Sequence, residues 1–170
     1  PVLGQPMIHW VLDSLSKAGI SRSIVVVGYR SDLVEKELAG RTNVDFVVQE
    51  QQLGTGHAVQ VCEPKLQSHK GPVLIVAGDS PLIQSSSLSK LLESFEGDDW
   101  ACLLGTLLKD DPTGLGRIVR GLDGRFDRIV EHKDASQEEL QIREVNMSTY
   151  MFDCAALLWS LSQLNNANAQ

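Results

Sequence analysis

Between Val73 and Ile83 the chain reads V-L-I-V-A-G-D-S-P-L-I. A continuous apolar run that stops at Gly78-Asp79 and resumes after Pro81 has the texture of a strand buried on both faces, as in the centre of a parallel sheet. Asp79 then stands at the carboxyl end of that strand. Open α/β sheets bind ligands outside these strand ends, and Gly78 lets a ligand approach the backbone closely. A lone carboxylate there suits a hard divalent cation shared with substrate phosphates, because magnesium keeps most of its waters and takes one or two protein carboxylates. The same aspartate could instead cap the helix that follows. This stretch alone leaves both readings open.

The flanking chain alternates strand and helix. Met7, Ile8, Val11, Leu12 and Leu15 recur at helical spacing, which predicts a helix over Pro6–Ala18, begun by a proline and ended at Gly19. Ser23–Val27 is a β-branched run and predicts a buried strand. Ser31 is expected to cap a helix to Leu38, and Val44–Gln49 to form the next strand. The stretch Q-E-Q-Q-L-G-T-G-H-A at Gln49–Ala58 predicts a tight glycine loop leading into a helix through Glu63. Leu88, Leu91, Leu92 and Phe95 mark a helix, and Trp100–Leu108 a strand. From Lys109 onward the texture becomes turn-rich. Arg117–Val119 and Phe126–His132 are predicted as a short strand pair, an antiparallel insert folded over the sheet edge. Val145–Phe152 then returns as a strand, and Ala155–Leu164 closes with a helix. The pattern is that of a doubly wound α/β domain.

Composition excludes several functions. The chain has 170 residues, 42% hydrophobic and 22% charged, which is globular rather than disordered. A net charge of -7 with no Lys/Arg run argues against a nucleic-acid or anionic-membrane surface. No apolar stretch reaches membrane-spanning length, and Cys62, Cys102 and Cys154 are far apart among apolar neighbours. Reduced thiols in a cytoplasmic protein are expected.

No nucleophile is evident: the sequence lacks G-x-S-x-G, and the four histidines show no metal-ligand spacing. What remains is one strand-end aspartate, one glycine loop and the polar insert. That inventory suits a reaction in which the protein positions phosphates and a metal without a covalent intermediate.

Five stretches make a resemblance specific: Q-E-Q-Q-L-G-T-G-H-A, G-D-S-P-L-I at Gly78–Ile83, D-D-P-T-G-L-G-R-I at Asp110–Ile118, I-V-E-H-K-D-A at Ile129–Ala135, and E-V-N at Glu144–Asn146. In order and approximate spacing they resemble the uridyltransferase half of the bacterial bifunctional enzymes N-acetylglucosamine-1-phosphate uridyltransferase/glucosamine-1-phosphate acetyltransferase. The resemblance implies a Rossmann-like, doubly wound mixed sheet of the nucleotide-diphospho-sugar transferase type with a small antiparallel insert. It implies uridylyl transfer from UTP to N-acetylglucosamine 1-phosphate, giving UDP-N-acetylglucosamine and pyrophosphate for cell-wall precursor synthesis. By the same resemblance Gln49 reads the uracil edge, Gly54 and Thr55 contact the uracil, and Ala77 and Gly78 lie beside the nucleotide. Asp79 holds Mg2+, while Gly116 through its backbone, with Glu131 and Asn146, binds the sugar. A homotrimeric parent is implied too.

The resemblance also implies that residues 1–170 are a partial domain. The family's basic glycine-rich loop and first strand would lie before Pro1, and the residue completing magnesium coordination and the acetyltransferase half would lie beyond Gln170. The chain alone is expected not to catalyse the reaction. Ala77 stands where relatives often carry an aromatic residue, and Met147-Ser148 where a Thr-Gly pair is usual. Alternatives are transfer to another sugar 1-phosphate, a non-catalytic nucleotide-sugar-binding regulatory module, and a receiver domain phosphorylated on Asp79.

Overall fold

The computed structural model describes residues 1–164. The chain runs α1 (Met7–Lys17), β1 (Ser23–Val27), α2 (Ser31–Leu38), β2 (Val44–Val48), α3 (Thr55–Gln60), α4 (Glu63–Leu66), β3 (Pro72–Ile75) and α5 (Ser85–Glu96). It continues through β4 (Cys102–Leu108), β5 (Arg117–Arg120), β6 (Phe126–Val130), β7 (Glu144–Asp153) and α6 (Cys154–Ser162). Helix α1 follows Pro6, buries Val11, Leu12 and Leu15, and stops where Gly19 takes φ +91°, a left-handed conformation that glycine adopts without a Cβ penalty.

The layers follow from strands that are apolar on both faces. Leu38, Leu88 and the buried residues of α1 pack with Val25, Phe46 and Leu74 on one side. Cys62, Leu66, Cys154, Leu157 and Leu161 pack with Ile24, Val26, Val73 and Ile75 on the other. Alternate residues of β1 and β3 therefore enter two different cores, which is the α/β/α layering that their unbroken apolar runs predict. Residue 164 is the last one described, so the end of the predicted closing helix is α6 at Ser162.

The sheets are mixed, as the resemblance implies, but β3 is not the parallel strand that its apolar run suggests. Strands β1 and β2 are parallel, but β3 pairs antiparallel with β7, from Pro72↔Asp153 to Ile75↔Tyr150. Nor are β1 and β3 buried on both faces: of their residues only Val27 is fully buried. The reason is visible between them. Among the described residues each strand is unpaired on one edge, and every residue of both lines a cavity of about 780 Å³.

Strand β7 organises the second sheet. Tyr150, Met151 and Phe152 pair with β3 and β4, and Val145 pairs with β4 and β5. Strand β4 thus holds one edge of β7 along its length while β3 and β5 share the other, leaving Met147–Thr149 open between them. The predicted antiparallel insert is the β5–β6 hairpin, which extends this sheet through Arg117↔Val145 rather than folding over its edge. Arg120 clasps the start of β7, its guanidinium 2.7 and 2.8 Å from the Glu144 carboxylate.

Three local expectations also change. Ser31 is the first helical residue, and the boundary before it is Arg30 at φ 57°. The helix predicted through Glu63 breaks after Gln60 and restarts as α4. Asp79 caps nothing, because α5 begins only at Ser85 with Gln84 before it.

Two outcomes are expected from this packing. Leu88 is 1% exposed and Leu82 is 84% exposed, so Leu88→Ala in the full-length protein should cost about 2–5 kcal/mol and Leu82→Ala under about 0.5 kcal/mol, compared by urea melts. The hydrogen bond from Arg120 holds the Glu144 carboxyl below its ordinary value of 4.5. Its contribution is therefore complete above that value and is lost as pH falls through the depressed folded one. The stability gap between wild type and Arg120→Met should be constant at neutral pH and close in acid, which thermal melts from pH 7 to 3 will read.

Candidate functional site

The site grows from the register of β3 against β7. Continued four residues beyond Ile75↔Tyr150, that register brings Asp79 level with Asn146. The pairing stops before then. The chain turns at Ala77–Pro81, β7 bulges, and a cavity of about 330 Å³ opens between them, lined by Ala77, Asp79, Ser80, Lys109, Asn146 and Ser148 among others.

Asp79 is exposed to this cleft and enters no ion pair found among the described residues, although Lys109 lines the same cavity. Among the described residues no group of three or more His, Cys, Asp or Glu side chains could enclose a metal. A single open carboxylate fits a cation that keeps its waters and completes its shell with substrate phosphates, and does not fit a structural zinc or calcium cage.

The sugar-side residues predicted from sequence come together. Asn146 N–H donates to the Gly116 carbonyl at 2.9 Å. A Cβ on Gly116 would lie 3.1 Å from Ile129 Cγ2 and 3.3 Å from Glu131 Oε1, so any larger residue there would make these two side chains give by a few tenths of an ångström. The Asn146 amide is fixed at both ends: Nδ2 donates to Tyr150 Oη at 2.6 Å, and Oδ1 accepts from Ser148 N–H at 3.1 Å.

Behind Gly116, the Arg117 side chain is 1% exposed. Its Nη1 donates to the Pro112 carbonyl at 2.7 Å and to the Leu115 carbonyl, and its Nη2 lies 3.2 Å from His132 Nδ1. Arg117 thereby ties the Asp110–Gly116 loop to the end of β6 beside Glu131. Sequence reasoning passed over Arg117, Lys109 and Tyr150. The buried role of Arg117 had one signal, its place between Gly116 and the apolar Ile118-Val119.

The predicted base-reading residues form a second group. Gln49 Nε2 donates to the Gly54 carbonyl at 3.1 Å and lies 3.0 Å from His57 Nδ1. Gly54, at φ +94°, precedes α3, so Thr55 and Gly56 are helical rather than part of a loop. Thr55 and Gly78 line the larger cavity, whereas Ala77, Asp79 and Asn146 line the smaller. Gly78 thus stands between the two. The thiols take no part: burial pushes Cys102 up to about 11 and also raises Cys62.

Residues 1–114 match the family described as a MobA-like NTP transferase domain. The whole chain is 47% identical to part of the bifunctional protein GlmU of Exiguobacterium sp. strain AT1b, of which it covers 37%. The chain thus spans a little over a third of the length of the curated relatives it matches. Its fold is similar to a putative glucose-1-phosphate thymidylyltransferase from Bacillus anthracis (TM-score 0.77, 17% identity, 98% of this chain and 66% of that one). It is also similar to HddC from Yersinia pseudotuberculosis (TM-score 0.71, 19% identity, 98% and 69%). Among the described residues no helix is long and apolar enough to cross a membrane.

Ser148 occupies φ 51° without being glycine. That conformation costs an L-residue roughly 1–2 kcal/mol, offset in part by the greater unfolded-state entropy of glycine. Ser148→Gly is therefore expected to stabilise the full-length protein by about 0.5 kcal/mol, seen as a higher urea midpoint at unchanged slope.

Proposed function

The chain belongs to the family of MobA-like NTP transferase domains, and on that premise we propose that it is part of the nucleotidyltransferase domain of a UDP-N-acetylglucosamine pyrophosphorylase. The substrates are UTP and N-acetylglucosamine 1-phosphate, and the products are UDP-N-acetylglucosamine and pyrophosphate. The observation that carries this reading is Asp79: an exposed carboxylate, without an ion pair among the described residues, in a cleft that Asn146 also lines. The 47% identity of this chain to part of a GlmU relative supports the choice of base and sugar.

An oxygen of the sugar 1-phosphate attacks the α-phosphorus of UTP in line. The bond from that phosphorus to the bridging oxygen breaks, and the electron pair leaves with pyrophosphate. Asp79 would hold Mg2+, which when bound supplies neutralising charge on the phosphates. Gln49, with its amide oriented by Gly54 and His57, offers Oε1 to the uracil edge, and Thr55 offers its backbone N–H at the start of α3. Gly116, Glu131 and Asn146 seat the sugar, held in register by the join of β5 to β7. The acceptor oxygen is thereby oriented before bond formation, which is where most of the rate gain in such transfers arises.

The partial-domain reading goes with this. The cavity between the unpaired edges of β1 and β3, apolar towards both cores, would take one further apolar strand. A segment seated there would end beside Gly28 and Gly78, which both line that cavity, and could deliver further phosphate-binding groups to the cleft.

The test uses the full-length protein with UTP, Mg2+ and N-acetylglucosamine 1-phosphate, following pyrophosphate release. Asp79→Asn is expected to lower kcat by at least about 100-fold, on the scale of losing a preorganised electrostatic partner, with metal-free UDP-sugar binding retained. Pyrophosphate release at the wild-type rate in Asp79→Asn, or none in the wild type, would overturn the proposal.

A further inference from the structure

The reaction just described leaves two features of the cleft unused. One is an apolar wall: Ala77, Leu107, Leu115 and Met147 line the same cavity as Asp79, and Leu107 and Met147 are each 45% exposed. The other is the path that brings Met147 there. The register between β4 and β7 jumps from Leu104↔Tyr150 to Thr106↔Asn146, so Met147, Ser148 and Thr149 stand opposite Gly105 alone. Surplus residues on one strand bend it outward, and such bulges re-aim side chains beside sites.

The bulge is held, not slack. A Cβ on Gly105 would meet Thr149 Cβ at 3.4 Å and Met147 Cβ at 3.8 Å, ordinary contact distances, so the bulge arches over Gly105 with room for little more than a methyl group. Ser148 bonds Asn146 Oδ1, and Thr149 Oγ1 donates to the Met147 carbonyl at 3.3 Å. Ser148 keeps its left-handed φ within this network. A strained residue persists where its surroundings over-determine it, and such residues cluster at ligand sites.

The wall has a chemical consequence. A plain hexose presents hydroxyls on every side, and seating one against Leu107, Leu115 and Met147 strips its water without giving it a partner. An acyl methyl loses nothing there and gains the free energy of leaving water. We infer that Met147 is a specificity-determining residue of the acceptor side: it closes an apolar seat for the acyl methyl of an N-acylated hexosamine 1-phosphate and limits the length of acyl chain the cleft takes. This rests on the sugar nucleotidyltransfer reading and adds to it a residue and a size limit. The long, unbranched thioether suits the task, since it can pack on a small apolar group without a rigid shape of its own.

The experiment measures calorimetric Kd values for UDP-glucose, UDP-N-acetylglucosamine and UDP-N-butyrylglucosamine on the full-length wild type, Met147→Ala and Met147→Leu. Wild type is expected to bind the N-acetyl compound at least about 10-fold more tightly than either other, the scale on which apolar pockets resolve one or two carbons. Met147→Ala should narrow the N-butyryl deficit by about 10-fold, and Met147→Leu should keep the wild-type order. Should Met147→Ala melt early, Met147→Gln, which keeps the length but adds a polar end, should lose the preference for N-acetyl over hydroxyl. Selectivity unmoved in the folded Ala or Gln variant, or absent in the wild type, overturns the inference. Selectivity that moves as expected in a protein releasing no pyrophosphate would sink the catalytic reading and leave the role of Met147 standing.

Discussion

The pairing of β7 with three neighbours is the constraint on which the site depends. Val145 and Met151, both 0% exposed, anchor the two ends of this strand between the layers. Because β3 pairs only with its carboxyl-terminal half and β5 meets it only at Val145 and, through Gly116, at Asn146, the intervening Met147–Thr149 segment has one edge free among the described residues. A free strand edge is normally a liability that must be covered or charged. Here the turn after β3, carrying Ala77 and Asp79, and the loop before β5, carrying Leu115 and Gly116, close over it from either side. The cleft is what remains between two strand ends that share an edge without meeting.

This geometry explains what could be read from the sequence and what could not. Ser23–Val27 was legible to the residue because a β-branched run gives one answer whatever its neighbours. The β5–β6 hairpin was legible because its turn is written in Gly121–Gly124, and Asp79 because a buried run cannot continue through G-D-S-P. Pairing direction was not legible. An apolar run looks the same beside a parallel or an antiparallel partner, so β3 read as a parallel strand although its partner is the antiparallel β7. Burial was not legible either, since Ile24, Val26, Leu74 and Ile75 are apolar enough for a closed core yet face the cavity between β1 and β3. The cap misread at Ser31 has a local cause: Arg30 takes the left-handed φ there and bonds Asp32, a choice that propensity does not foresee.

The site residues divide along the same line. Gly116, Glu131 and Asn146 were found only through motif resemblance, and the structure supplies the physical reason they belong together. The N–H of Asn146 and the carbonyl of Gly116 make a ladder bond, and the loop runs so close to Glu131 that a Cβ on Gly116 would crowd its carboxylate. Nothing in the spacing of these three residues, spread over two strands and a loop, announces that contact. Tyr150 is a milder case: its hydroxyl orients the Asn146 amide from four residues along the same strand, which a bulged strand permits and a regular one would place differently.

The clearest asymmetry in the cleft lies between its two sides. Behind Gly116, Arg117 is buried without a carboxylate partner, and its Nε has no hydrogen-bond partner, among the described residues. Removing a guanidinium from water costs several kcal/mol unless its donors are satisfied. Two carbonyls of the Asp110–Gly116 loop and the His132 ring meet part of that demand. A brace that leaves an unmet donor is a poor device for stability, and an apolar residue would serve the core better. What the guanidinium does that an apolar side chain could not is to fix carbonyl positions by direction as well as by contact, holding Leu115 and Gly116 where the cleft needs them. On the opposite side Gly54 and Thr55 are exposed, Thr55 lining the cavity between β1 and β3, and the half-buried Gln49 amide is held by the Gly54 carbonyl and the His57 ring. The wall of Gly116, Glu131 and Asn146 is therefore braced by a buried guanidinium, whereas the corner of Gln49 and Thr55 is braced by side chains nearer the surface.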